Sequence, residues 1–165
     1  MAHQKISAGD VANYFLFKGQ EEGKTITNKK LQKLLYYAQA WSLAALDKKL
    51  FDEKIEAWVH GPAIRTIYLE NKKYGFGPID RKISLKSIPQ MSSDVKGLLD
   101  EVWSIYGKFD ASYLEKLTHS EAPWIDARAG LEANINSENE ITLDSMRSYY
   151  SSVLDKASAA KEAIE

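Results

Sequence analysis

A mainly α fold is predicted: a compact single-domain helical bundle with a small two- or three-stranded antiparallel β element. Three observations predict it. Apolar residues recur at helical spacing over most of the chain. Stretches rich in aromatic and β-branched residues are short and few, lying around 50–59 and 79–88. The 165 residues suit one domain, which at this size buries about 70% of the surface of its unfolded chain. No repeat, low-complexity tract or linker divides them, so residues 1–165 are read as one domain with 142–165 as a C-terminal helix.

Ser7 caps a first helix whose apolar face is Ala8, Val11, Ala12 and Phe15. Polar residues 20–24 end it, and Thr27 or Asn28 caps the next. That second helix carries Leu31, Leu34, Leu35 and Ala38 on one face and Tyr37, Ala40, Leu43 and Ala44 on the other. A helix apolar on most sides belongs at the centre of a bundle. Residues 50–59 read as a short strand, broken by Gly61-Pro62. Pro62 suits the first position of a helix bearing Ile64, Ile67 and Tyr68. Residues 74–78 read as a turn, and Ile79 to Ile88 as a second strand that pairs with the first.

Ser92 or Ser93 starts a helix with Val95, Leu98, Leu99, Val102, Ile105 and Tyr106 at helical spacing. Asp110 caps a shorter one with Tyr113, Leu114 and Leu117. Residues 118–141 read as loop with one helical turn around Trp124 to Ala129. Thr142 caps the last helix. There Leu143, Met146, Tyr150, Val153, Ala157, Ala160 and Ile164 alternate spacings of three and four, a seam that permits pairing with another copy.

Composition excludes several functions. With 22 Lys+Arg against 23 Asp+Glu, the chain has no overall field for DNA or an anionic membrane. The absence of cysteine excludes a disulfide framework, a thiolate zinc site and a cysteine nucleophile. The first residues, through His3 to Ser7, lack the apolar core of a signal peptide, and no stretch approaches a membrane span. A cytoplasmic location is expected.

Few residues spell chemistry. His60 and His119 sit at breaks between elements, and His119-Ser120-Glu121 offers a His/Glu pair for acid–base or metal work. Zinc deaminases share that spelling but need cysteines, which are lacking. The plainer role for both histidines is hydrogen bonding at helix ends. Gly75-Phe76-Gly77 lacks the rest of a nucleotide loop. Lys24, Lys29, Lys30 and Lys33 gather at the start of the second helix, where cations oppose the helix dipole. An acidic partner or a phosphate would explain them; so would a solvated lysine face balanced by Glu21 and Glu22.

Aromatic residues are abundant, with four Trp and nine Tyr, and such rings dominate both cores and binding hot spots. Trp41 and Trp103 read as core, whereas Trp58 and Trp124 lie in or beside irregular segments. In Tyr36-Tyr37 and Tyr149-Tyr150 the neighbours point about 100° apart. One of each pair is expected inside and the other at a rim.

Three blocks carry a family resemblance. They are Leu31-Gln32-Lys33-Leu34-Leu35-Tyr36-Tyr37-Ala38-Gln39-Ala40-Trp41, then residues 50–62 ending Trp58-Val59-His60-Gly61-Pro62 with Tyr68, then Leu117-Thr118-His119-Ser120-Glu121-Ala122-Pro123-Trp124. In this order they resemble the Panacea domain, also called SocA-like or phage-associated GepA-type, from about Ile6 to about Tyr150. The resemblance implies a mostly helical antitoxin that neutralises a cognate toxin encoded nearby by direct binding, without enzymatic activity, cofactor or metal. An alternative it implies is an adaptor that delivers the toxin to a Clp-type protease. A His/Glu-dependent hydrolase or nuclease using His60, His119 and Glu121 is the alternative of another class. The chain reads as the bare domain without a DNA-binding module, so nucleic acid is not an expected partner.

The expected partner-binding residues are Lys33, Tyr36, Trp58, His60, Tyr68, His119 and Trp124. Trp58, His60, Tyr68, His119 and Trp124 are expected to meet in a groove between the strand–helix junction and the third block. That groove has two readings, a toxin contact or a purely structural joint. The lysine-rich helix start and the final helix are the other candidate faces.

Overall fold

The computed structural model describes residues 5–164; His3 and Glu165 lie outside the described residues. The helices are α1 (Ala8–Glu22), α2 (Asn28–Ala45), α3 (Arg65–Asn71), α4 (Ser93–Tyr106), α5 (Ala111–His119), α6 (Ala122–Ala127) and α7 (Leu143–Ile164). Three strands, β1 (Ile55–Trp58), β2 (Gly61–Ala63) and β3 (Glu140–Ile141), form one antiparallel sheet in the order β2-β1-β3. This is the mainly α bundle with a small β element that the sequence predicts.

The helix starts follow the capping residues. Ser7 accepts from the Asp10 amide while Asp10 accepts from the Ser7 amide, a reciprocal capping box. Thr27, Asp110 and Thr142 each accept an amide in the first turn of α2, α5 and α7.

As predicted, α2 is the central helix. Leu31, Leu34, Leu35, Ala38, Ala40 and Leu43 are buried around its full circumference, packed by α1, α4, α5, α7 and β2. Most of its polar residues are buried too, and three of them fasten neighbouring segments. Gln39 accepts from the Leu50 amide at 2.7 Å and donates to the Phe51 carbonyl at 2.9 Å. Gln32 accepts from the Ile64 amide at 2.8 Å, and Asn28 donates to the Tyr68 carbonyl at 3.0 Å. Gln32 also donates to Asn28.

The sheet corrects two expectations. Ile79 to Ile88 does not pair with β1 and forms no strand; a single 3₁₀ turn at Leu85–Ser87 lies within it. Gln20 of α1 meets both backbone groups of Ile83, and Ile79 donates to the Ile26 carbonyl, so this segment needs no strand partner. The partner of β1 is instead β2, reached by a turn at Val59-His60 that sets Trp58 opposite Gly61. Pro62 therefore lies in a strand and not at a helix start; α3 begins at Arg65. An edge strand tolerates the missing donor, and opposite it the Ala57 amide points away, to the Asn139 carbonyl beside β3.

The aromatic pairs divide unevenly. Tyr150 is buried and Tyr149 partly exposed, as expected, but Tyr36 and Tyr37 are both fully buried because α2 is covered on both sides at their level, by Tyr150 on one and Tyr106 on the other. Trp103 is core, whereas Trp41 is half-buried with its indole donating to the Tyr106 hydroxyl at 2.8 Å.

Candidate functional site

An open cleft of about 530 Å³ lies between the N-terminal half of α2, the β1–β2 hairpin and α3. The hairpin turn delivers Trp58, Val59, His60 and Gly61 to it, and the exposed face of α3 delivers Tyr68. Trp58 and Tyr68 meet edge to face with ring centres 5.0 Å apart. Phe76, in the loop after α3, is fully exposed at the cleft. The basic side chains at the cleft are Lys29, Lys33, Lys72 and His60, with no carboxylate among its lining.

Lys33 is the deepest of these, 2% exposed, with its ammonium 3.2 Å from the Pro62 carbonyl. Its stem runs where a side chain on residue 61 would stand: a Cβ on Gly61 would come 2.5 Å from Lys33 Cε. Gly61 also has φ +107°, which favours glycine. Burial brings the Lys33 ammonium down to about 7, against the upward pull of Glu115, with Lys29 adding to the depression.

Glu115, on α5 beneath the cleft, lies 2.5 Å from the Lys29 ammonium and 3.3 Å from His60 Nδ1. Its burial would raise its pKa, but Lys29, with help from the two histidines, holds it below the usual glutamate value. His119 lies one turn along α5 from Glu115 and stacks on Trp124 at 3.9 Å. Burial lowers its pKa, with Glu115 pulling the other way. The Trp124 indole donates to the Trp58 carbonyl at 2.8 Å, tying the third sequence block to the hairpin.

The expected groove thus divides. Lys33, Trp58, His60 and Tyr68 line the cleft; His119 and Trp124 brace the hairpin from the side and do not line it. Tyr36 is in the core, its hydroxyl 3.0 Å from that of Tyr150. Tyr150 and Tyr37 both donate to Glu121, at 3.0 and 2.6 Å. Glu121 is therefore committed to core tyrosines rather than to a histidine. Burial raises its pKa while the two hydroxyls oppose that rise. Among the described residues no group of three or more His, Asp or Glu is arranged to hold a metal ion.

The lysine cluster is not a uniformly solvated face. Lys24 pairs with Glu22 at 3.3 Å as the plainer reading has it, but Lys30 and Lys33 are buried, Lys30 donating to the Gly107 carbonyl at 2.5 Å. Two further residues escaped the sequence reading. Glu115 could have been found, since it stands four residues before His119 on a helix the Asp110 cap already marked. Arg128 could not. It is 2% exposed, lies 4.9 Å from the Trp124 ring, and donates to the carbonyls of Ala57, Glu132 and Ile135.

Together these features define a helical domain with an open cationic, aromatic cleft. The chain belongs to the family described as "Antitoxin SocA-like, Panacea domain", whose match spans residues 31–125 and so contains Lys33, Trp58, His60, Tyr68, His119 and Trp124. It is similar to Antitoxin SocA of Caulobacter vibrioides (strain NA1000 / CB15N), 30% identical over 131 residues, covering 73% of this chain and 70% of that protein. No solved structure matches it. Among the described residues no helix is long and apolar enough to cross a membrane.

Proposed function

We propose that this antitoxin neutralises a cognate toxin by direct protein–protein contact, using the cleft between α2, the β1–β2 hairpin and α3. The observation that carries the proposal is the cleft's composition. Aromatic rings that are exposed or only partly covered, beside desolvated polar groups, are the ordinary make-up of an interface centre. Trp58, Tyr68 and Phe76 supply the rings, and Lys33 the desolvated cation. His60 sits at the edge, largely exposed and able to meet a partner without rearrangement. His119 and Trp124 act on the contact through the hairpin they hold.

Co-expression with the toxin encoded beside it tests this. Growth is expected to be restored and the two proteins to co-purify. Tyr68→Ser, with its circular dichroism unchanged, is expected to weaken the complex at least tenfold. Restored growth without a complex, accompanied by a shortened toxin half-life, would assign the protein to proteolytic delivery instead. Hydrolysis of a nucleic acid or ester that disappears in His60→Ala would assign it to catalysis.

A further inference from the structure

Lysine is seldom buried, because an ammonium is costly to remove from water. Lys33 is buried in the N-terminal half of the central helix, and among the described residues its ammonium makes one hydrogen bond, to the Pro62 carbonyl. An ammonium carries three donors, so two have no protein acceptor among the described residues. Among the described residues no carboxylate lies within 4.0 Å of its nitrogen, and Glu115 is taken by Lys29 and His60. A methionine or leucine would fill the same space without the desolvation cost. The cation thus lowers stability, and it sits in the wall of an open cleft whose other charged side chains are Lys29 and Lys72.

We propose that the cleft receives an acidic segment of the toxin, one carboxylate of which takes the unused donors of Lys33 while an adjoining apolar side chain packs on Trp58, Tyr68 and Phe76. This rests on the reading that the cleft contacts the toxin, and it names the chemistry of the contact. A planar small anion such as a nucleotide fits less well. Trp58 and Tyr68 touch each other edge to face, so no slot between them admits a base. The buried amides at the cleft are spent internally: Gln32 on Ile64 and Asn28, Asn28 on Tyr68. That leaves the exposed Asn136 at the cleft as the amide without such a bond among the described residues.

The groups facing Lys33 are Glu115 and His119 of α5, Lys29 of its own helix, and His60 of the hairpin turn. A carboxylate docked on the ammonium adds a negative charge to this set and favours the protonated form.

The test uses the full chain labelled with ¹³C-lysine, alone and in the purified complex with the toxin encoded beside it. The Lys33 Cε resonance is expected to titrate near neutral pH in the free protein and to stay protonated to pH 9 in the complex. Lys33→Met is expected to weaken the complex at least tenfold with circular dichroism unchanged, and raised salt to weaken the parent complex more than the variant. A complex in which Lys33 still titrates near neutrality, with Lys33→Met binding as tightly, would overturn this proposal and leave the toxin contact standing. Failure of any complex to form removes both. Saturable micromolar binding of AMP to the free protein, lost in Lys33→Met while toxin binding is unaffected, assigns the cleft to a small anion and also overturns the proposal.

Discussion

Lys33 and Gly61 share one space: the lysine stem passes where the hairpin residue would carry its Cβ, 2.5 Å from Cε and 3.2 Å from Nζ. The absence of one side chain makes room for the other. Gly61→Ala should therefore destabilise through two causes, contact with Lys33 and strain at φ +107°. The expected loss is about 3 kcal/mol in urea unfolding. Lys33→Ala in the same chain should recover only part, about 1 kcal/mol, because the backbone strain and the 3.0 Å approach to Thr118 Oγ1 persist. Full additivity of the two changes would show that the crowding is unimportant.

Lys33→Met should raise stability at pH 6.5. The folded value of about 7 lies below the ordinary 10.5 of lysine. Between these values the unfolded chain holds a proton that the folded chain does not, so the stability contributed by Lys33 rises as pH goes from about 7 to about 10.5. Below pH 7 the folded chain bears the full cost of the buried charge. The methionine variant should gain about 1–4 kcal/mol there and lose this slope. Thermal unfolding across pH 6 to 10 measures it; a variant less stable at every pH contradicts the account.

Glu121→Ala should cost about 2–4 kcal/mol, since it strips the acceptor from the Tyr37 and Tyr150 hydroxyls at once. Tyr150 gives its proton to Glu121, so Tyr36 must be the donor in the Tyr36–Tyr150 bond, and the chain of hydroxyls loses its end. Glu121→Gln keeps an acceptor and should be milder. Because burial raises the carboxyl above 4.5, the folded chain holds the extra proton in the window above that value. The contribution of Glu121 to stability therefore falls as pH rises through its folded pKa. The glutamine variant should lack that fall in denaturation curves taken from pH 4 upward.

Arg128→Ala should free the loop between α6 and β3. Its guanidinium is the shared donor to the Ala57, Glu132 and Ile135 carbonyls. About 3 kcal/mol is the expected loss. Amide exchange at 130–139 should quicken much more than in α2. Uniform acceleration across the chain would instead mean global destabilisation.

Removing residues 155–165 should change stability by less than about 1 kcal/mol, because residues 155–162 are exposed, whereas Met146 and Tyr150 at the start of the same seam are core. Sedimentation of the full and shortened chains tests self-association through this helix. A dimer that becomes a monomer on truncation would support the seam as a self-pairing surface; monomers in both cases would dismiss it.

The helical framework was legible because it rests on local signals. Ser7, Thr27, Asp110 and Thr142 cap where their side chains dictate, and the wide apolar surface of α2 placed it at the centre. The sheet was less so. A strand of three residues containing Gly61 and Pro62 has no alternation to read, and Ile79 to Ile88 resembled a strand though α1 satisfies it. Of the seven residues expected to bind a partner, four, Lys33, Trp58, His60 and Tyr68, do share a cleft. Tyr36 did not, since adjacency to Tyr37 says nothing of whether either side of the helix is open. Arg128 had no signal at all, because its three acceptors are backbone carbonyls, which every residue has.

The buried amides of α2 have an evolutionary corollary. Asn28, Gln32 and Gln39 hold the path of the chain from Leu50 to Tyr68 at four backbone positions, so the course of that segment is written in a different stretch of sequence. Recombination between relatives that exchanges the hairpin without its helix would inherit instructions for a path the new segment does not take. The two stretches form one heritable unit, and productive chimaeras should have their crossover points outside residues 28–68.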